Sequence, residues 1–135
     1  MTSTELDRLV RTGSLKAEPA SPEEVAALRR SGELRLKDAA NRTLSLEGRF
    51  DLAYNAAHAL ALAALRRAGY RSENRYVVFQ CLTHTLSTPP EAWRVLAKAH
   101  GLRNRAEYEG AFDVDERLIE DVIAAAITVR NALNR

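Results

Sequence analysis

One long helix is the feature that most constrains how this chain can fold. From Ser45 to Gly69, apolar residues recur at intervals of three and four, as on the buried face of an α-helix. These apolar positions are Leu46, Phe50, Ala53, Tyr54, Ala57, Leu60, Ala61, Ala64 and Leu65. Gly69 is placed to end the helix, because glycine readily adopts the left-handed conformation found after helix C-termini. Such a helix must bury its apolar face against other elements.

Start and stop signals predict two more helices before it. The first ten or so residues read as a short helix that Gly13 ends. A second helix opens at Ser21, where the serine caps, Pro22 occupies the first turn and Glu24 completes a capping box. We expect this second helix to run to about Asn41.

The second half of the chain carries the same kind of signals. The segment YVVFQCLTHTL is β-branched at its start, but with no partner strand in the sequence a helix is the better interpretation. Thr88 is predicted to cap the next helix, with Glu91 closing its capping box. Asp113 and Glu116 repeat the pattern before a last helix with a broad apolar face.

Together these signals predict an all-α domain, a bundle of four main helices with one or two additional short ones. Hydrophobic residues make up 46% and charged residues 28% of the 135 residues, a balance that indicates neither disorder nor a membrane protein. We expect a short N-terminal helical extension over residues 1–20 and the helical bundle over residues 21–135.

Conventional enzyme and metal motifs are absent from the sequence. No glutamate lies three residues before a histidine, so the Glu-x-x-His pairs of di-iron bundles are missing, and we predict no metal and no cofactor. Cys81, the single cysteine, lies in an apolar run and is interpreted as a buried thiol. His58 and His84 are interpreted as packed or surface side chains.

Charge and hydropathy indicate which partners and which cellular compartment to expect. The net charge of +2 is too small to indicate a polyanionic partner, although nearly all basic residues are arginines, which suit phosphate recognition. No apolar run approaches the ~20 residues of a membrane span. The first residues carry no secretion signal pattern, and a single cysteine fits a reducing compartment, so we expect a cytoplasmic protein without membrane association.

The segment HGLRNRAEYEG concentrates polar groups on a predicted helix. Arg103 lies three residues after His100 and four before Glu107, so the three share one helix face. Arg103 also continues an apolar stripe that begins at Trp93, which we expect to be buried near Tyr54. An arginine on such a stripe is costly unless it is paired or opens into a wet cleft. Spacing alone leaves both interpretations open: an ion pair with Glu107, or a cleft.

This arrangement resembles the HEPN superfamily, small all-α domains of prokaryotic toxin–antitoxin and defence systems. HEPN ribonucleases carry an arginine followed four to six residues later by a histidine, often with a polar residue directly after the arginine. One bacterial branch is similar in its RN-x-x-x-Y-E-G ending, here formed by Arg103, Asn104, Tyr108, Glu109 and Gly110. The segment SLEGRFDLAYNAAHALALAALRRAGYR is similar to the long helix of that branch, and the resemblance covers roughly residues 20–135.

The resemblance implies a HEPN-like four-helix bundle with a cleft motif. Its candidate catalytic residues are Arg103, Asn104 and Tyr108, and its candidate RNA-binding residues are His100, Arg103 and Arg105. Tyr108 stands where the family has histidine, and a side chain with a pKa near 10 is a poor base at neutral pH. The implied function is therefore that of a toxin–antitoxin or defence component that binds RNA or a partner protein through a degraded catalytic motif.

Two other functions fit the same residues. One is an active metal-independent endoribonuclease, a HEPN toxin, in which Arg103, Asn104 and Tyr108 form a composite site. The other is a purely structural dimeric interaction domain. The resemblance also implies a homodimer with two motifs facing one groove, and a cognate antitoxin or nucleotidyltransferase as partner.

Overall fold

Helices dominate the part of the chain that the computed structural model describes, residues 4–109 and 113–135, with the backbone alone for residues 107–109. The helices are α1 (Thr4–Arg11), α2 (Pro22–Ala39), α3 (Leu46–Arg67), α4 (Arg75–Gln80), α5 (Leu82–Thr85), α6 (Pro90–Glu109) and α7 (Glu116–Leu133). The predicted all-α class is confirmed. Over these described ranges three short helices, α1, α4 and α5, accompany the four long ones, where the sequence predicted one or two.

The long helix α3 is the centre of the molecule. Its predicted apolar face is buried from Phe50 to Leu65, and only Leu46 in the first turn is exposed, at 42%. Ala56, Ala59 and Ala63, on other sides of the helix, are buried as well. Because α2 and α7 pack on α3 and α4 to α6 contact it too, α3 is covered around most of its circumference.

The approach of α2 to α3 is set by Gly32. A Cβ atom built at Gly32 would lie 2.6 Å from Leu60 Cγ and 3.2 Å from the Ala56 carbonyl oxygen. The two helices are therefore packed more closely than any side chain at this position allows. This contact holds α2 against the middle of α3.

A two-residue antiparallel ladder is an element that the sequence interpretation missed. It joins β1 (Lys16–Ala17) to β2 (Tyr70–Arg71). Gly13 and Gly69 both have positive φ, 88° and 93°, and these turns end α1 and α3 so that the two extended segments run side by side. A pair this short has no hydropathy pattern of its own, which is why the sequence contains no signal for it.

The N-terminal segment is packed onto the bundle. Leu6 of α1 and Leu15 before β1 belong to the buried core. The Tyr70 hydroxyl donates a hydrogen bond of 2.6 Å to Asp7 Oδ1. Arg66 on α3 reaches the backbone carbonyls of residues 18 and 19, so β1 and the loop after it are tied to the end of α3.

Of the three N-caps predicted from the sequence, one is correct and two are wrong. Ser21 accepts a hydrogen bond from the Glu24 amide, which starts α2 where expected. Thr88 does not cap α6, because its hydroxyl is turned inward, 5% exposed as a residue, without a hydrogen-bond partner among the described residues. The cap of α7 is Asp115, which accepts from the Leu118 amide at 2.8 Å, and not Asp113.

The position predicted for Trp93 is also wrong. Trp93 is half-buried and meets Tyr76 of α4 edge to face, with ring centroids 6.3 Å apart. The ring stacked against Tyr54 from α6 is instead His100. The short helices α4 and α5 both contact α6, and it is α4 that supplies the ring next to Trp93. None of the helices in the described ranges is long and apolar enough to cross a membrane.

Candidate functional site

His100 and Asn104 form a hydrogen-bonded chain with Tyr54 where α6 reaches α3. The Tyr54 hydroxyl lies 2.8 Å from His100 Nδ1, and Asn104 Nδ2 lies 3.2 Å from His100 Nε2. Since an amide nitrogen only donates, Nε2 accepts and Nδ1 carries the proton that it donates to the Tyr54 oxygen. A single neutral tautomer of His100 therefore satisfies both contacts.

Arg103 lies one turn beyond His100 and covers the Tyr54 ring. Its guanidinium carbon is 5.2 Å from the ring centroid, within cation–π range. Its Nε lies 3.5 Å from Oδ1 of Asp51, one turn before Tyr54 on α3. The arginine on the apolar stripe is thus placed over an aromatic ring and beside a carboxylate of the neighbouring helix. The alternative partner, the Glu107 side chain, lies outside the described residues.

A second arginine, Arg75, reaches the same ring from the first turn of α4. Its guanidinium carbon is 5.4 Å from the Tyr54 centroid, and its Nη1 donates to Asn55 Oδ1 at 2.9 Å. Sequence analysis missed Arg75, because nothing in the sequence relates a residue after β2 to a motif on α6. We name as the Tyr54 cluster the set of Tyr54, Arg75, His100, Arg103 and Asn104.

The cluster carries positive charge on its arginines and none on its imidazole. Burial, then Arg75 and Arg103, lower the pKa of His100 below its ordinary value, so the ring is neutral at neutral pH. The carboxylate of Asp51 beside Arg103 has a side chain that is 58% exposed, so solvent screens its charge. Two guanidinium groups on one ring, next to a screened carboxylate, favour the approach of an anion.

A neighbouring histidine, His58, is also neutral. Burial, with smaller effects from Arg75 and His100, lowers its pKa to about 4. Its ring meets Phe79 of α4 edge to face, with centroids 6.1 Å apart. His58 lies four residues after Tyr54 on α3, which puts it one turn along the same face. The sequence interpretation as a packed side chain overlooked that Arg75 lies close to it.

Arg105, the other arginine of the motif, is not part of these contacts. Arg105 is exposed, and among the described side chains no hydrogen bond, ion pair or ring contact links it to the cluster. It lies two residues after Arg103, about 200° around the helix, so it faces away from Tyr54. Tyr108 belongs to the helical backbone of α6, but its side chain lies outside the described residues. The candidate RNA-binding set of His100, Arg103 and Arg105 is thus divided between two faces of α6.

The other chemically reactive side chains that the structure describes do not form a site. Cys81 is fully buried, and burial raises the pKa of its thiol to about 11, so the nucleophilic thiolate is not populated at neutral pH. His84 is exposed on α5. No three His, Cys, Asp or Glu side chains in the described ranges come together in a way that could hold a metal ion.

Comparison with protein-family models, with curated proteins and with solved structures finds no match to this chain. Its function is therefore inferred from the residues of the Tyr54 cluster and from their geometry.

Proposed function

We propose that this chain is a HEPN-type helical domain whose Tyr54 cluster binds the phosphate backbone of RNA. It acts in the cytoplasm as a component of a toxin–antitoxin or defence system, with a cognate antitoxin or nucleotidyltransferase as its protein partner. The motif that resembles the family supplies Arg103 and Asn104. The cluster acts as a binding site, with the catalytic motif degraded at Tyr108.

One observation carries the proposal. Arg75 and Arg103, from different helices, lie 5.4 and 5.2 Å from the centroid of one buried tyrosine ring. Bringing two cations onto one ring is unfavourable by itself, because like charges repel. A phosphate bound between them would offset that repulsion and accept the planar N–H pairs that guanidinium groups present.

The direct test is the salt dependence of RNA binding. Arg103→Gln should weaken binding of an unstructured RNA and reduce the slope of log K against log salt by about 0.7 for each lost phosphate contact. The matched control is Arg94→Gln, an exposed arginine nine residues earlier on α6 and thus on its opposite face. Arg94→Gln should leave both the affinity and the slope at the wild-type values.

Two outcomes would remove the proposal. If Arg94→Gln weakens binding as much as Arg103→Gln, the interaction is diffuse and does not use the Tyr54 cluster. If no RNA binds at low salt, the chain is better described as a purely structural interaction domain. Growth arrest on induced expression, relieved by Arg103→Ala, would connect the cluster to a toxin role in cells.

The proposal includes a two-fold homodimer in which two Arg103 residues face one groove. Light scattering at tens of micromolar should give twice the 15.0 kDa mass of the chain. A monomer under these conditions would contradict this part of the proposal without affecting phosphate binding by the single cluster.

His100 is the observation that favours the second candidate, an active endoribonuclease. A neutral imidazole one turn from Arg103 can accept the proton of an RNA 2′-hydroxyl, provided that Asn104 releases Nε2, whose lone pair it occupies. Under our main proposal, purified protein with a chelator leaves unstructured RNA intact. Cleavage by the wild type that Tyr108→Phe or His100→Ala abolishes would replace the binding function by the catalytic one.

A further inference from the structure

An open groove of about 530 Å³ begins where the Tyr54 cluster ends. It is lined by α2, α3 and the segment from β2 into α4, and it includes His58, Leu62 and Arg75. Arg75 therefore belongs both to this groove and to the cluster. We name it the His58 groove. Its volume lies within the range of sites that hold small ligands.

His58 lies in the groove with its hydrogen-bonding capacity unused. Neither ring nitrogen has a hydrogen-bond partner among the described residues, although the ring is half-buried against Phe79. A neutral imidazole presents one donor and one acceptor. Polar groups at such a position bind solvent or a ligand, and here the His58 ring lines a cavity that can hold one.

The rest of the groove combines apolar and polar walls. Leu28 of α2 and Leu62 of α3 are half-buried and provide an apolar surface. Glu73 and Arg71 stand at the exposed rim and offer an acceptor and a donor. Arg66 and Glu24 also line the groove, but they are paired with each other, with Arg66 Nε 2.6 Å from Glu24 Oε2.

We propose that the His58 groove holds the nucleobase of an unpaired nucleotide whose phosphate is bound at the Tyr54 cluster. This inference rests on the function proposed above and specifies its ligand as single-stranded RNA. Arg75 stands between the two sites, with one side toward the Tyr54 ring and the other lining the groove. His58 follows Tyr54 by four residues, about one turn along α3.

The chemistry of the groove matches a nucleobase better than a second phosphate. A base has two flat apolar faces, which the two leucines of the groove can contact. Its edge carries both donors and acceptors, which His58 and the two rim residues can pair with. A second phosphate finds less there, because Arg66 is already paired with Glu24 and Arg71 with Glu18. The base must be unpaired, because in a duplex its edge is occupied.

The test compares ligands with and without a base. Isothermal titration calorimetry would measure the dissociation constants of ribose 5-phosphate and of the four nucleoside 5′-monophosphates for the full chain. At least one nucleotide should bind about tenfold more tightly than ribose 5-phosphate, the gain expected from stacking and edge contacts of one base. Leu62→Trp, which fills the groove, should remove that gain and leave ribose 5-phosphate binding unchanged.

Two further variants separate the groove from general effects. His58→Phe keeps a ring of similar shape without its nitrogens and should reduce the preference among the four bases. Leu34→Trp is the matched control, since Leu34 is 58% exposed and lines a different groove on α2. It should leave every constant unchanged. Thermal unfolding of each variant confirms that the fold is retained.

The outcomes distinguish base binding in the groove from phosphate binding at the cluster. If ribose 5-phosphate binds and all four nucleotides bind within twofold of it, the groove does not hold a base, while phosphate binding by the cluster stands. The groove is equally excluded as the base site if Leu62→Trp leaves the nucleotide gain intact. If neither ribose 5-phosphate nor any nucleotide binds, the proposed function is wrong and the inference falls with it.

Discussion

Arginines contact α3 in two different surroundings, one around Arg66 at its C-terminal end and one around the Tyr54 ring. At the C-terminal end, Arg66 is 4% exposed, and acceptors surround its guanidinium group. It donates to the Glu24 carboxylate at 2.6 Å and to the backbone carbonyls of Glu18, Tyr70 and Pro19 at 2.9 to 3.2 Å. Its partners come from α2, from β2 and from the loop between β1 and α2, so Arg66 joins three parts of the chain.

Beside Tyr54, in the N-terminal half of α3, Arg75 of α4 and Arg103 of α6 lie against an aromatic ring instead. Arg75 donates to an amide oxygen, and Arg103 lies 3.5 Å from a solvated carboxylate. A buried arginine held by fixed acceptors stabilises the fold, whereas two half-buried arginines close to one aromatic ring are suited to an external anion. The surroundings of the guanidinium group, buried acceptors or an aromatic face, thus separate a structural arginine from a binding one.

Removing the structural arginine should have the largest effect on stability. Arg66→Ala leaves several backbone carbonyls and a carboxylate without their donor, and we expect a loss of about 3 kcal/mol in the free energy of unfolding. Arg67→Ala is the control, since that neighbour is exposed and donates to the Leu133 carbonyl. Urea unfolding monitored by circular dichroism measures both. Equal losses for the two variants would show that the buried acceptors around Arg66 add no stability beyond that of an exposed arginine.

The fold was predictable from the sequence wherever a periodic pattern or a local cap determines it. The stripe on α3 and the Ser21 cap each depend on residues within one or two turns of each other. The prediction failed where the outcome depends on distant contacts. Thr88 is drawn into the interior, and a ladder of two residues forms only because two glycine turns bring its strands together.

The site was predictable only in its α6 half. The spacing of His100, Arg103 and Asn104 places them within two turns of one helix, and a helix keeps such residues together wherever it packs. Arg75 and Tyr54 join them through the packing of α3, α4 and α6, which no spacing in the sequence encodes. The same packing places His58, which the sequence shows only among alanines, close to Arg75 and keeps its imidazole neutral.

The pH dependence of the free energy of unfolding tests the burial of His58 beside Arg75. The pKa of His58 is about 4 in the folded protein and 6.5 in an unfolded chain, so below pH 6.5 the unfolded state binds more protons. Acidification from pH 6.5 to about 4 therefore favours unfolding, by on the order of 2 kcal/mol for this residue. His58→Phe should lose less stability than the wild type over that interval. Equal losses would show that His58 titrates normally and is not buried beside Arg75.

A smaller effect is expected from the hydroxyl that joins Tyr54 to His100. Tyr54→Phe removes one hydrogen bond from a residue that is 1% exposed, and we expect a loss of about 1 kcal/mol. Tyr76→Phe is the control, because that tyrosine is 42% exposed and its hydroxyl makes no hydrogen bond to the described residues. A loss near that of Arg66→Ala would mean that the Tyr54 cluster is a structural element in its own right.

The smallest effect on stability should come from the arginine that matters most for binding. The contacts that Arg103→Ala removes include an ion pair with a solvated carboxylate and a cation–π contact, and the side chain is 31% exposed. Such interactions contribute about 1 kcal/mol or less. The same substitution should remove most of the affinity for ribose 5-phosphate, because it takes away a guanidinium group facing the bound anion.

Arg103→Lys separates the effect of charge from that of donor geometry, since it keeps the positive charge but loses the planar pair of N–H donors. The lysine variant should restore only part of the affinity that Arg103→Ala removes, because an ammonium group meets a phosphate as a point charge. Calorimetry with ribose 5-phosphate and urea unfolding, applied to both variants, separate binding from stability. If Arg103→Ala instead destabilises the protein as much as Arg66→Ala and the lysine variant restores stability, then Arg103 links α3 to α6 structurally. The distinction between Arg66 and the arginines beside Tyr54 would then disappear.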